Sequence, residues 1–165
     1  MFLFLSIALV LACVGFLGWV LFRDRSAPVA ARVERLLAAS PERVWAVQSD
    51  LANWSRWNPD VRSLILHGPL QAGSAFDWNG GGMQIHSVLS EVTAPTRIAW
   101  SGQAFGIRAH HSWEFVAEGT VTRVITEEVF TGPLAWLLPG TLRSVLEKAL
   151  TTGLDHLQAE VERTA

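Results

Sequence analysis

Six short strand-like runs follow one another through the middle of the chain, and each is separated from the next by residues that form turns. Every break contains Gly or Pro, as in Gly80-Gly81-Gly82 and Ala94-Pro95-Thr96. Because consecutive strands joined by short turns pair as hairpins, the pattern predicts an antiparallel meander. The runs are Val61 to His67, Ala75 to Asn79, Met83 to Val92, Arg97 to Gly102, Ile107 to Val116 and Val121 to Phe130.

The segment before the meander predicts one more strand and two short helices. Val29 to Leu37 mixes apolar and charged residues with a period of two, which is typical of a half-buried strand. Ser40-Pro41-Glu42-Arg43 then has the capping residue, the proline and the acidic residue that open a helix. Asn58-Pro59 closes the helical pair, since proline and the residue before it resist helix continuation.

A long amphipathic helix is predicted after the meander. Apolar residues recur every three or four positions from Leu142 to Val161, and we expect this helix to begin near Gly140-Thr141. Leu134 to Leu138 is predicted to form a separate short turn, because Pro139-Gly140 interrupts the pattern. The predicted fold class is α+β: a seven-stranded antiparallel sheet wrapped on the C-terminal helix, with two short helices after the first strand.

An uncharged apolar run, Phe2 to Phe22, precedes this domain and is long enough to cross a hydrocarbon core of about 30 Å as a helix. We therefore predict a single-pass anchor over residues 1–23, a linker over 24–28 and the domain over 29–165. A cleaved signal peptide is the alternative, but no Lys or Arg precedes the run. Arg23 and Arg25 follow it, so the positive-inside rule places the domain in the cytosol.

Charge and cysteine content argue against a disulfide-stabilised fold and against a nucleic-acid-binding protein. The only cysteine, Cys13, lies inside the apolar run, so no disulfide within the chain is possible. Val10-Leu11-Ala12-Cys13 loosely resembles a lipidation site, although Leu11 fits that pattern poorly and a basic start is missing. A formal net charge of −2, with scattered arginines, argues against nucleic acid as a partner.

The order of these elements, together with several short motifs, resembles the SRPBCC superfamily, the START-like helix-grip proteins often named polyketide cyclase/dehydratase or lipid-transport proteins. The resemblance covers about Val29 to Glu162. The motifs that carry it are Pro41-Glu42-Arg43-Val44-Trp45, Trp54-Ser55-Arg56-Trp57-Asn58-Pro59, Arg97-Ile98-Ala99-Trp100-Ser101-Gly102, His111-Ser112-Trp113-Glu114-Phe115 and Gly153-Leu154-Asp155-His156-Leu157.

The resemblance implies a ligand cavity between the sheet and the last helix, and it leaves three functional classes open. The first is a membrane-anchored domain that binds a hydrophobic or amphipathic, lipid-like small molecule. The second is a polyketide cyclase/dehydratase-like enzyme. The third is a structural or recruiting module without a ligand, whose core would be filled by side chains.

Strand alternation predicts which side chains share the inner face of the sheet. Phe76 and Trp78 share one strand's inner side, and Val124, Thr126, Glu128 and Phe130 share another's. His111 and Glu128 are the candidates for an acid/base pair or for binding a polar head, while a hydrogen-bonded structural pair is the alternative. The predicted ligand-binding residues are Trp54, Trp57, Trp78, Trp100, His111, Trp113 and Glu128.

Cofactor chemistry is not expected from this sequence. The five histidines are scattered over different predicted elements without the spacing of zinc sites. No serine lies in a Gly-x-Ser-x-Gly turn, and Gly80-Gly81-Gly82 joins two strands instead of opening a helix, as a phosphate loop would. We therefore predict neither a metal nor another cofactor.

Overall fold

The computed structural model describes residues 28–164. The predicted anchor and all but the last residue of the predicted linker lie outside this range. Among residues 28–164, none of the helices has the length and apolar character needed to cross a membrane. The strands are β1 (Val29–Leu37), β2 (Val61–His67), β3 (Ala75–Gly80), β4 (Met83–Thr93), β5 (Arg97–Ala104), β6 (Ile107–Glu118) and β7 (Val121–Thr131).

All seven strands form one antiparallel sheet in the order β1-β7-β6-β5-β4-β3-β2. Strands β2 to β7 pair as consecutive hairpins, which confirms the predicted meander, and β1 closes the far edge on β7. Several strands extend one or two residues beyond the predicted bounds, because pairing continues into the turns. Ile107–Glu118 is an example, since Glu118 pairs with Val121 across the β6–β7 turn.

Four helices complete the described part of the fold: α1 (Pro41–Gln48), α2 (Trp54–Trp57), α3 (Pro133–Leu137) and α4 (Pro139–Arg163), with a 3-10 turn at Leu51–Asn53. The long helix α4 begins at Pro139, slightly before the predicted start, because proline suits the first helical position. The sheet and the long C-terminal helix of the predicted fold class are therefore confirmed.

Helix α4 covers one face of the sheet, which we call the inner face. Its buried stripe packs onto that face through Leu146, Leu150, Leu154, Leu157 and Val161. Its polar contacts with the sheet are made along β1. Arg35 Nη1 donates to Asp155 Oδ1 at 2.6 Å and to Gln158 Oε1 at 2.9 Å, and Arg143 Nη1 donates to the carbonyl of Ala30 at 3.0 Å.

Helices α1 and α2 close the space between β1 and β2. Arg43 of α1 donates from Nε and Nη2 to the carbonyl of Val161, at 3.2 and 3.1 Å, and so ties α1 to the last turn of α4. Trp54 is buried, and its Nε1 donates to the carbonyl of Gln48 at 2.9 Å. These contacts make the helical pair part of the core.

The strand directions give the domain two distinct ends. The β3–β4 and β5–β6 turns, the start of β1 and helix α3 share one end, which we call the turn end. The start of α1, the last turn of α4 and the β6–β7 turn share the opposite end, which we call the helix end.

Candidate functional site

A continuous aromatic group lines the inner face. The ring of Trp54 packs against Trp100 with centroids 5.3 Å apart and against Trp78 at 6.4 Å. Trp100 in turn lies 4.7 Å from the imidazole of His111, which stacks on Trp113 at 5.6 Å. The alternation of β5 and β6 produces this row, because residues two apart on a strand face the same side.

His111 and Glu128 meet in the middle of this face. They are directly opposite each other on β6 and β7, and Nδ1 of His111 lies 3.8 Å from Oε2 of Glu128. The other ring nitrogen, Nε2, shares a hydrogen bond of 2.8 Å with the hydroxyl of Thr126. Whichever of these two atoms donates, Nε2 is occupied, so only Nδ1 remains for a second partner.

Burial disfavours the charged form of both groups. It lowers the pKa of His111 to about 3, with a smaller contribution from the neighbouring His110, and it raises the pKa of Glu128 to about 7. The imidazole is therefore neutral at pH 7, while the carboxyl is divided between its two forms. The 3.8 Å contact is accordingly not an ion pair, because His111 does not carry the required charge.

Both side chains nevertheless keep accessible surface, 15% for His111 and 17% for Glu128. The exposure of the inner-face positions changes along β6 and β7, whereas Val29 and Ala31 at the turn end of β1 are buried under α4. Val124 and Thr126 are fully buried, whereas Glu128 and Phe130, nearer the turn end, are half-buried. Strand β6 shows the same trend, with Phe115 and Trp113 buried and Ala109 half-buried. The inner side of β6 and β7 therefore becomes more exposed toward the turn end, and the His111–Glu128 pair lies where this exposure begins.

Two further polar atoms in this part of the molecule are buried without a hydrogen-bond partner among residues 28–164. They are Nε1 of Trp113 and Nδ1 of His156. Gly153 of α4 lies over the Trp113 ring, since a Cβ built on that glycine would be 4.0 Å from Cζ2. An unpaired buried donor costs free energy, which an acceptor brought within reach of Trp113 N–H would recover.

The predicted binding residues do not all have the same surroundings. His111 and Glu128 are the accessible pair, while Trp100 and Trp113 contact His111 but are only 4% and 5% exposed and belong to the core. Trp54 is only 3% exposed and belongs to the core, whereas Trp57 is half-buried and packs on that core near the end of α2.

Trp78 is also half-buried, and its Nε1 donates to Ser87 Oγ at 3.1 Å. The sequence placed Thr126 on the inner face but did not single it out as a partner of His111. The alternation of β7 alone could have raised that possibility, since Thr126 and Glu128 are neighbours on one face.

The outer face of the sheet carries a groove of about 210 Å³, but its charges are already paired in part. Arg97 in this groove contacts Glu91 at 2.8 Å and Glu114 at 3.6 Å. His110 is exposed here and shares a hydrogen bond with Ser101. Within the described residues, no group of His, Cys, Asp and Glu side chains is arranged to hold a metal ion.

Comparison with known proteins gives one family over nearly the whole described range. Residues 28–162 match the family described as polyketide cyclase/dehydrase and lipid transport. The comparison with curated proteins found no significant match.

Solved structures share the fold at low sequence identity. A protein from Thermus thermophilus superposes with a TM-score of 0.68 at 21% identity, covering 82% of this chain and 99% of the other. A START superfamily protein from Mycobacterium smegmatis gives 0.71 at 16%, with coverage of 82% and 99%. The Zhui aromatase/cyclase from a Streptomyces species gives 0.70 at 14%, with coverage of 83% and 95%.

Proposed function

Because the chain belongs to the polyketide cyclase/dehydrase and lipid-transport family, as its sequence motifs indicated, we propose that it binds a hydrophobic or amphipathic small molecule between the sheet and α4. The observation that carries this proposal is the His111–Glu128 pair. It is enclosed by aromatic rings, held in largely neutral form, and still accessible. Apolar walls with a few polar groups are typical of small-molecule sites.

In this proposal the ligand enters with its polar end first. The protonated carboxyl of Glu128 donates a hydrogen bond to a carbonyl or hydroxyl oxygen, and Nδ1 of His111 faces the same point. Trp113 N–H supplies a further donor. The apolar body of the ligand then lies against Phe130 and Ala109, nearer the turn end. A fatty acid and a polycyclic hydroxyketone both have this distribution of polarity.

Binding can be tested on the full chain with oleate and 1,8-dihydroxyanthraquinone as probes. Native mass spectrometry after mild detergent removal reports any copurified ligand, and tryptophan fluorescence reports added probe, since Trp100 and Trp113 contact His111. We expect Glu128→Gln and His111→Phe to weaken binding of at least one probe. His110→Gln is the matched control, because His110 is the neighbouring residue on the outer face.

Two experimental results would contradict the binding proposal. No copurified apolar molecule and no fluorescence change with either probe would leave the recruiting module as the better account. An equal effect of His110→Gln and His111→Phe would show that the inner face is not the site.

Membrane anchoring is part of the same proposal. The uncharged run from Phe2 to Phe22 and the arginines after it support a single-pass anchor with the domain on the cytosolic side. A reporter enzyme that works only outside the cytosol, fused after Ala165, should remain silent. An active reporter would reverse the orientation.

A second candidate function is enzymatic, and the raised pKa of Glu128 favours it specifically, because a carboxyl that titrates near neutral pH can both accept and donate a proton. Ionised Glu128 accepts a proton from the carbon next to a carbonyl and then donates it to the departing hydroxyl, so that water leaves and a double bond forms, while Nδ1 of His111 hydrogen-bonds the substrate. Loss of water from a β-hydroxyketone in the presence of the full chain would support this activity. Equal rates for the chain and for its His111→Phe variant would exclude it.

A further inference from the structure

The turn end carries an apolar surface that the fold itself does not cover. Of the nine large hydrophobic side chains that are exposed among residues 28–164, five lie there, and we call this set the apolar rim. Phe105 is 78% exposed and Leu137 is 55% exposed. The rim consists of Met83, Phe105, Leu137, Leu138 and Val145.

The rim residues come from separate elements that are held together at this end. An added Cβ at Gly132 would collide with the carbonyl of Gly106, so the β5–β6 turn lies directly against the start of α3. Gly132 has φ 109°, a conformation that favours glycine, and this permits the close approach. Phe105 and Leu137 therefore belong to neighbouring parts of one surface. Met83 is at the tip of the adjacent hairpin.

Phe105 is an unfavourable residue for its position by two criteria. It forms the β5–β6 turn with Gly106, and both have positive φ, 48° and 75°. Such two-residue turns favour Asn or Gly, because a side chain with a Cβ is strained in this conformation. Its ring is also the most exposed of the large apolar side chains. Both costs are offset if the ring is inserted into an apolar phase.

The position of the rim agrees with the path of the chain. Val29 pairs with Phe130 at the turn end, so the chain enters the domain there. Only residues 23–28 separate Val29 from the apolar run that ends at Phe22, and six residues span at most about 20 Å. If Phe2 to Phe22 crosses a bilayer, the turn end is therefore held close to its surface.

We propose that the apolar rim inserts past the headgroups into the outer acyl-chain region of the lipid bilayer, so that the ligand space opens onto the membrane. The proposal rests on the membrane anchoring proposed above. Exposed Arg108 and Arg143 lie at the same end, where they face lipid phosphates. The inner side of β6 and β7 also becomes more accessible toward this end. An apolar ligand thus passes between bilayer and site without crossing water.

Spin labels on the full chain test this placement. Cys13→Ala removes the only natural cysteine, and single cysteines are then introduced as Phe105→Cys, Leu137→Cys or Leu36→Cys. Leu36 is the matched control, because it is 54% exposed, equally apolar, and located at the helix end. The labelled chains are reconstituted in vesicles of phosphatidylcholine and phosphatidylglycerol. Collision rates are measured with oxygen, which partitions into acyl chains, and with a water-soluble nickel chelate.

We expect the ratio of oxygen to nickel collisions to be several-fold higher at positions 105 and 137 than at position 36. Equal ratios at all three positions in chains that float with the vesicles would overturn the rim proposal and leave the anchor intact. Failure of the full chain to float after an alkaline wash would overturn both. Protection from nickel without increased oxygen contact would indicate cover by protein, such as a second copy, and would also overturn it.

Discussion

Nδ1 of His111 and Oε2 of Glu128 are 3.8 Å apart, yet the two groups do not form an ion pair at neutral pH. Burial lowers the pKa of the imidazole to about 3 and raises that of the carboxyl to about 7. Between these values both groups are mostly neutral. The pair therefore offers hydrogen-bonding atoms to a guest molecule without the cost of burying a charge.

The pair gives a first prediction, for the pH dependence of the free energy of unfolding. The pKa of Glu128 is raised from 4.5, so the folded state binds the proton more tightly and stability falls as the pH rises from 4.5 to about 7. The pKa of His111 is lowered from 6.5, so stability rises between about pH 3 and 6.5. The two slopes oppose each other where they overlap, between pH 4.5 and 6.5.

Single substitutions should separate the contributions of Glu128 and His111 to the pH dependence of the free energy of unfolding. Glu128→Gln is expected to leave stability rising with pH in the overlap. His111→Asn should leave stability falling as the pH rises toward 7, by about 3 kcal/mol at most. Urea unfolding at several pH values measures the pH dependence of stability for both variants. Parallel profiles for wild type and both variants would show that these pKa values are not perturbed.

A second prediction concerns the hydrogen bond between Thr126 and His111. Thr126→Val keeps the shape of the side chain but leaves Nε2 of His111 without its 2.8 Å partner. We expect a loss of about 1–3 kcal/mol in the free energy of unfolding, together with weaker probe binding. Thr126→Ser retains the hydroxyl and should preserve binding. If the valine variant binds both probes like wild type, Thr126 does not orient the imidazole.

A third prediction follows from the close approach of Trp78 to Gly80. A Cβ at position 80 would lie 2.7 Å from Cη2 of the Trp78 ring, so Gly80→Ala must displace that ring. The ring then loses its hydrogen bond to Ser87 and its edge contact with Trp54. We expect destabilisation by about 1–3 kcal/mol and altered tryptophan emission. Gly140→Ala has open space around its Cβ and lies in α4, where Ala is the better helix former, so it should neither destabilise the fold nor alter the emission.

The link between α1 and α4 supports a fourth prediction. Arg43 makes two hydrogen bonds to the carbonyl of Val161, which is buried in the last turn of α4. Arg43→Met keeps most of the apolar stem but removes both donors, and a loss of roughly 1–3 kcal/mol is expected. Arg163→Met breaks the exposed contact with Glu160 and should not change the denaturation midpoint. Equal midpoints for the two variants would contradict this role of Arg43.

Much of this architecture follows from short-range patterns in the sequence. Period-two alternation identifies the inner face of each strand, and the actual register places His111 opposite Glu128. The exposure trend along β6 and β7 could not be predicted, because it depends on where α4 lies above the sheet. The buried state of Trp54 likewise depends on contacts with Trp78 and Trp100, which are distant in sequence. Alternation shows which face of the sheet a side chain points to, whereas its degree of burial depends on the assembled fold.

Helix α4 is joined to the sheet by polar contacts on one side only. Arg35 and Arg143 bind it to β1, and within residues 28–164 none of its side-chain hydrogen bonds reaches β2 to β6. Rotation about the β1 side would therefore separate the turn-end half of α4 from β6 while breaking apolar contacts alone. Admission of a bulky guest would then require no exchange of hydrogen bonds, and its rate should depend only weakly on salt and pH.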